Sequence, residues 1–210
     1  MKLLIIIGIV IALASHFKHD IERLFATGAF DENGEPKAIL FVQDKCGSSN
    51  PSPCELAQQY LDSHNIDYEM LDPYSSPELI QKYKIPSTIP YLVVGYDKVY
   101  EFSRGLYSSV LATNFGHDVL NSTEANIYSQ HFDENGKPQI VLYGTTWCGY
   151  CNRLRADFDA NDVDFVDIDV EKPVEKTWLI KAMGIRGYPT VYVGYQRVNG
   201  FDYKAVMAAR

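Results

Sequence analysis

An α/β chain made of two tandem copies of one mixed-sheet unit is the fold class the sequence predicts, and three observations predict it. First, Phe30-Asp31-Glu32-Asn33-Gly34 recurs as Phe132-Asp133-Glu134-Asn135-Gly136. From Phe30 to Cys46 against Phe132 to Cys148, 8 of 17 aligned positions are identical. Second, the order of matching segments persists downstream while the offset drifts, as loop insertions in two copies produce. It is 102 at the start, 97 at Ile66-Asp67-Tyr68 against Val163-Asp164-Phe165, 100 at Leu79-Ile80 against Leu179-Ile180, and 99 at Pro90 and Gly95-Tyr96 against Pro189 and Gly194-Tyr195. Third, each copy reads strand-helix-strand-helix-strand-strand-helix, an order that closes a mixed sheet covered by helices.

In the second copy, 139–143 is a buried strand and 148–160 a helix with Leu154 and Phe158 four apart. Residues 164–170 alternate Phe165, Asp167 and Asp169 with Val166, Ile168 and Val170, as a half-buried strand does. A helix over 174–183 ends at Gly184, 190–195 and 196–199 form a hairpin, and 202–209 is the last helix. The first copy repeats the order at 38–42, 55–63, 68–71, 78–84, 91–95, 99–102 and 106–115. The units are expected at 30–115 and 132–210, with 116–131 a linker or an added short helix, and 19–27 a short amphipathic helix.

The chain of 210 residues is 46% apolar and 22% charged, enough for a real core. Its net charge of −8 argues against nucleic-acid binding. The first 129 residues carry 9 Lys/Arg against 16 Asp/Glu, the remainder 10 against 11, so the acidity belongs mainly to the first unit and reads as solubility. Met1-Lys2 precedes twelve uncharged, mainly aliphatic residues ending in Ala12-Leu13-Ala14. Residues 1–15 therefore read as a signal peptide or membrane anchor that exports the rest to an oxidising compartment, periplasmic or facing one from a membrane.

Thr145-Thr146-Trp147-Cys148-Gly149-Tyr150-Cys151 follows the apolar run 140–143 and opens a helix. Two cysteines separated by two residues at a helix start can close and reopen a small disulfide ring. Orphan N–H groups and the helix dipole favour a thiolate on Cys148, and Cys151, one turn deeper, can attack a mixed disulfide formed there.

With these residues in hand, the second unit resembles the thioredoxin superfamily and, within it, the glutaredoxins. Trp147-Cys148-Gly149-Tyr150-Cys151 matches that superfamily's Trp-Cys-x-x-Cys, and the segment from Met183 to Thr190 resembles the one ending at its cis-proline. Val198-Asn199-Gly200-Phe201-Asp202 is similar to the region where glutaredoxins hold the γ-glutamyl end of glutathione. The resemblance implies two tandem thioredoxin-like domains and a thiol–disulfide oxidoreductase. Cys148 is then the attacking thiolate, Cys151 the resolving thiol and Pro189 the cis-proline. Trp147, Tyr150, Tyr188, Gly200, Phe201 and Asp202 would bind substrate or glutathione. It implies no bound cofactor, glutathione as reductant or co-substrate, protein disulfides or glutathione mixed disulfides as substrates, and a partner redox protein as a further electron source. Isomerase or oxidase action, or a glutathione-held iron–sulfur cluster without turnover, are the alternatives. Two departures are noted: no basic residue precedes Cys148, where glutaredoxins commonly carry one, and no acid lies within 140–143, where thioredoxins bury one.

In the first unit seven residues separate Cys46 from Cys54, and the insert cannot continue a helix through Asn50-Pro51 and Pro53. The helix is expected to start near Pro53, leaving Cys46 on a loop, with Pro90 at the cis-proline position. A structural disulfide, a second redox pair, and reduced thiols or a metal are the readings left open. His16, His19, His64, His117 and His131 fall outside the motifs and are expected at the surface, as are Asp157, Asp159, Asp162, Asp164, Asp167 and Asp169, without a metal. Asn121-Ser122-Thr123 is a glycosylation sequon.

Overall fold

Each repeat opens on one turn, built by its aspartate. Asp31 Oδ1 accepts the N–H groups of Asn33 and Glu35 at 2.8 and 2.9 Å, and Asp133 Oδ1 those of Asn135 and Lys137, both at 2.8 Å. Gly34 and Gly136 follow at φ +83° and +75°, a left-handed conformation that a side chain would oppose. The recurring pentapeptide is thus a turn that delivers the chain into the central strand of each sheet. The computed structural model describes residues 27–44, 46–75, 77–198 and 202–210.

The first repeat forms β1 (Ala38–Phe41), α1 (Pro53–Ser63), β2 (Tyr68–Leu71), α2 (Pro77–Tyr83), β3 (Tyr91–Val94), β4 (Asp97–Tyr100) and α3 (Arg104–Phe115). A helix α4 (Ser122–Tyr128) follows, flanked by 3-10 turns at His117–Val119 and Ser129–His131. The second repeat forms β5 (Ile140–Gly144), α5 (Gly149–Ala160), β6 (Phe165–Asp169), α6 (Trp178–Ala182), β7 (Thr190–Val193), β8 (Gln196–Arg197) and α7 (Tyr203–Ala208). The sheets run β2-β1-β3-β4 and β6-β5-β7-β8, with β1–β2 and β5–β6 parallel and the other pairs antiparallel. Leu40 pairs with Met70 and Leu92, and Leu142 with Asp167 and Val191. Those registers reproduce the offsets of 102, 97 and 99 seen in the sequence, so the drift lies in the loops. This is the two-unit thioredoxin-type α/β fold that the sequence predicts.

β1, β3, β5 and β7 are buried along their whole length, as central strands covered on both faces must be. On one face of the second sheet, Ile140, Leu142, Val191 and Val193 meet Leu154 and Phe158 of α5 and Val206 of α7. On the other, Val141, Tyr143, Ile168 and Tyr192 meet Leu179 of α6 and Ile127 and Tyr128 of α4. The first sheet packs in the same way against α1 and α3 on one face and Tyr83 and Ile85 on the other. Truncating a fully buried ring such as Phe158 would cost about 3–5 kcal/mol.

Several expectations are corrected. Residues 174–183 do not form one helix: a 3-10 turn at Val174–Lys176 precedes α6. Of the two readings of 116–131, linker or added short helix, the helix is the one formed, and it is capped: Asn121 Oδ1 accepts the Thr123 and Glu124 N–H groups at 3.0 Å, while the Glu124 carboxylate returns to Asn121 N. His131 is fully buried, not at the surface. Its Nδ1–H donates to Gly194 O at 2.6 Å, which leaves Nε2 to accept the Tyr143 hydroxyl at 2.7 Å. Burial lowers its pKa to about 4, so the ring is neutral. The His64 side chain is likewise covered: its Nε2 meets Glu124 at 2.8 Å, with the imidazole only 4% exposed. The Tyr60 hydroxyl donates to the same carboxylate at 2.6 Å. These bonds join α1 of the first unit to α4 on the second.

The units also meet along α3. A Cβ on Gly105 would collide with the Met183 backbone, and Ser109 Oγ donates to Tyr195 O at 2.6 Å. Among the described residues no helix is long and apolar enough to cross a membrane. Residues 1–15, and the helix expected at 19–27 apart from Thr27, lie outside the described residues.

Candidate active site

β5 ends at Gly144 and α5 begins at Gly149, so the four residues between them form the loop that carries the outer sulfur. Cys148 is the N-cap of α5: its Sγ accepts the Cys151 N–H at 3.1 Å, and its carbonyl accepts Asn152 N at 3.0 Å. A sulfur placed this way satisfies an orphan donor of the helix and, when ionised, sits at the positive end of its dipole. Cys148 and Cys151 form a disulfide with their Cα atoms 5.2 Å apart; both are buried, Cys148 at 6% and Cys151 at 0% exposure.

The Tyr188–Pro189 peptide is cis, as expected for this position. The Tyr188 ring packs edge-on against Trp147, with centroids 5.9 Å apart. Trp147 is 66% exposed, and its indole Nε1–H donates to Glu171 at 2.9 Å. The Tyr188 hydroxyl has its pKa raised by burial and by the Glu171 carboxylate. Tyr150 is also exposed and carries the Arg153 guanidinium 4.3 Å above its ring. The structure thus brings Trp147, Tyr188 and Pro189 to the rim of the cysteine loop, with Tyr150 exposed on the first turn of α5.

Asp202 lies elsewhere. It caps α7, its Oδ1 accepting Ala205 N at 2.9 Å, and it lines a shallow cleft with Asp157 and Asn161 at the far end of α5. Gly200 and Phe201 lie outside the described residues.

Three residues that the sequence reading missed hold the loop. Arg155 Nη1 donates to Thr145 O at 3.1 Å and to Asn152 Oδ1 at 2.7 Å, while its Nε and Nη2 clamp Asp167 at 2.8 and 2.9 Å. Glu171 holds Trp147. Lys172 Nζ lies 3.4 Å from Thr146 Oγ1. A cation thus reaches the stretch before Cys148 from the β6–α6 connection. No local spacing announces the Glu171 and Lys172 contacts, which join residues 24 and 26 positions apart.

The first unit keeps the plan but not the details. Cys46 and Cys54 are bonded, Cα atoms 5.8 Å apart, with Cys54 in the first turn of α1. Ile89–Pro90 is cis, and Cys46 Sγ lies 3.6 Å from Ile89 O. As expected, α1 starts at Pro53. Its N-cap, however, is Ser52, whose Oγ accepts Glu55 N at 3.2 Å while Glu55 accepts Ser52 N at 2.7 Å. The helix end that holds a sulfur in the second unit holds a hydroxyl and a carboxylate here. Among the described residues no cluster of His, Cys, Asp and Glu has the arrangement of a metal site.

A mixed sheet, a cysteine pair on a helix start and a cis-proline beside it define the thioredoxin-fold class of oxidoreductases. The glutaredoxin family model matches residues 140–198. A glutaredoxin of Pseudomonas aeruginosa is 33% identical over 66 residues, 31% of this chain and 79% of that protein. A thioredoxin of Aspergillus fumigatus is 30% identical over 92 residues, 40% of this chain and 81% of that protein. Among solved structures, the NTD N/C domain of an Enterococcus faecalis alkylhydroperoxide reductase, AhpF, aligns over 93% of this chain and 96% of its own at 15% identity and a TM-score of 0.33. The chain belongs to the glutaredoxin family, within the thioredoxin superfamily.

Proposed function

We propose that the protein is a thiol–disulfide oxidoreductase of the reductase type, working through Cys148 and Cys151. The observation that carries this is the outer sulfur serving as the N-cap of α5, in a residue 6% exposed, with its partner one turn deeper and wholly buried. In the reduced protein, Cys148 thiolate attacks a substrate disulfide R–S–S–R′, forming a mixed disulfide with R–S and expelling R′–S⁻, which takes up a proton. Cys151 then loses its proton and attacks Cys148 Sγ, releasing R–S⁻ and closing the ring. Two electrons have passed from the dithiol to the substrate, and a thiol reductant returns them.

Family membership supports glutathione as that reductant, or glutathione mixed disulfides as substrates. The exposed Trp147 and Tyr150, with Tyr188 and the cis-Pro189 backbone, form the rim against which an extended substrate would lie. The first unit acts as an auxiliary body. With Ser52 rather than a cysteine as the N-cap of α1, Cys46 lacks the helix-cap position that Cys148 holds, which favours the closed disulfide. Reading residues 1–15 as a signal peptide or membrane anchor supports function in an exported setting.

Reduction of insulin and of a glutathione mixed disulfide tests the reading: Cys148→Ser should abolish both, and full activity in that variant would sink it.

A further inference from the structure

We propose that Arg155, fixed by Asp167, is the positioning residue that ionises Cys151 for the second half of the exchange; this rests on the reading of Cys148 and Cys151 as the working pair. The space for it is left by Gly144. A Cβ there would lie 2.9 Å from Cys151 Sγ and 3.4 Å from Arg155 Nη2, so the inner sulfur and the guanidinium nitrogen are at most about 6 Å apart, close enough to favour a charged sulfur. Asp167 pairs in register with Leu142, on the sheet face that α5 covers, a charge among the apolar residues of that face. A partly exposed ion pair contributes little to stability, so packing alone gives small reason for it.

The divergent copy supplies an internal comparison. Strand registers and the aligned inner cysteines place Val42, Gln58 and Met70 where the second unit has Gly144, Arg155 and Asp167. The glycine gap, the cation and its anchor are all missing from the unit whose outer cysteine sits on an insert.

The ionisable groups around Cys151 are Cys148 and Arg155 of its own helix, Asp167 of β6, and the Tyr188 and Tyr203 hydroxyls, whose rings pack on the same cluster from the cis-proline loop and α7. In the step concerned, Cys151 gives its proton to solvent and its sulfur attacks Cys148 Sγ. The Cys148–Cys151 bond forms, the bond from Cys148 to the substrate sulfur breaks, and the electron pair leaves with that thiolate. Arg155 acts on the first event by favouring the charged sulfur.

The test follows the reduced full chain carrying Cys46→Ser/Cys54→Ser, in which Cys148 and Cys151 are the only thiols, with 5,5′-dithiobis(2-nitrobenzoate). The first thionitrobenzoate released reports attack by Cys148, and the second reports resolution by Cys151. Arg155→Met should slow the second release roughly tenfold at neutral pH and move the midpoint of its pH–rate profile upward. Arg155→Lys should restore most of the rate. Asp167→Asn, which frees the guanidinium from its counter-charge, should move the midpoint downward. A merely structural pair would shift both variants alike, and shifts of one sign, or none, overturn the proposal. If Arg155→Met does not fold, Asp167→Asn decides: an unchanged or raised midpoint overturns it. Cys151→Ser must stop after the first release; if it does not, the reading of the cysteine pair fails, whatever Arg155 does.

Discussion

Cys148 Sγ accepts the backbone N–H of Cys151 at 3.1 Å, so the two cysteines are joined by a helix cap as well as by their disulfide. A serine hydroxyl can take over the cap but not the redox chemistry. Cys148→Ser should lose insulin and mixed-disulfide reduction while keeping its stability within about 0.5 kcal/mol of the reduced protein, and Cys148→Ala should lose about 1 kcal/mol more. Urea unfolding under reducing conditions separates the two.

Cys46 and Cys54 close a short loop at the mouth of α1. The chain-entropy account of so short a loop gives a contribution of about 2–3 kcal/mol. The double variant Cys46→Ser/Cys54→Ser should unfold at correspondingly lower urea while retaining turnover. Loss of turnover with an unchanged fold would instead make the first pair part of the electron path.

Glu124 accepts the Tyr60 hydroxyl, meets His64 and closes the cap of α4 with one carboxylate. Glu124→Ala should destabilise the protein by about 2–4 kcal/mol, since two covered partners lose their acceptor together. Glu124→Gln, which keeps an acceptor oxygen, should cost less. Chemical denaturation of both variants, read by tyrosine fluorescence, checks the order.

His131 makes stability depend on acidity. Its folded pKa of about 4 lies below the ordinary value of 6.5, so between those limits the unfolded chain binds a proton that the folded chain refuses. The stability from the neutral ring is complete above pH 6.5 and is lost as pH falls toward 4, by up to about 3 kcal/mol. Unfolding free energies from pH 7.5 to 4.5 should show this slope, and His131→Gln should flatten it while lowering stability throughout.

Much of this was open to a reader of the sequence. Strand and helix order followed from periodicity, Pro53 marked a helix start, and Cys148 with Pro189 marked the candidate site. What escaped notice depends on distant partners. His131 looked like a surface residue because nothing local reveals that Gly194 O and the Tyr143 hydroxyl converge on its ring. Arg155 could be placed on a helix, but its meeting with Asp167 needs the β5–β6 register. α4 was legible in part: Asn121 with Glu124 three residues on is a capping-box pattern, although the same asparagine drew notice as a sequon.

α4 shields the aromatic face of one repeat while its Glu124 is gripped by the other. The two copies of the repeat are in this way mutually dependent. A chimera or truncation joined at Phe132, the seam the repeat itself advertises, would strip a lid from the second half and part His131 from Gly194 O and the Tyr143 hydroxyl. Recombination could shuffle these halves safely only if the stretch between them, and the surface it grips, travelled together.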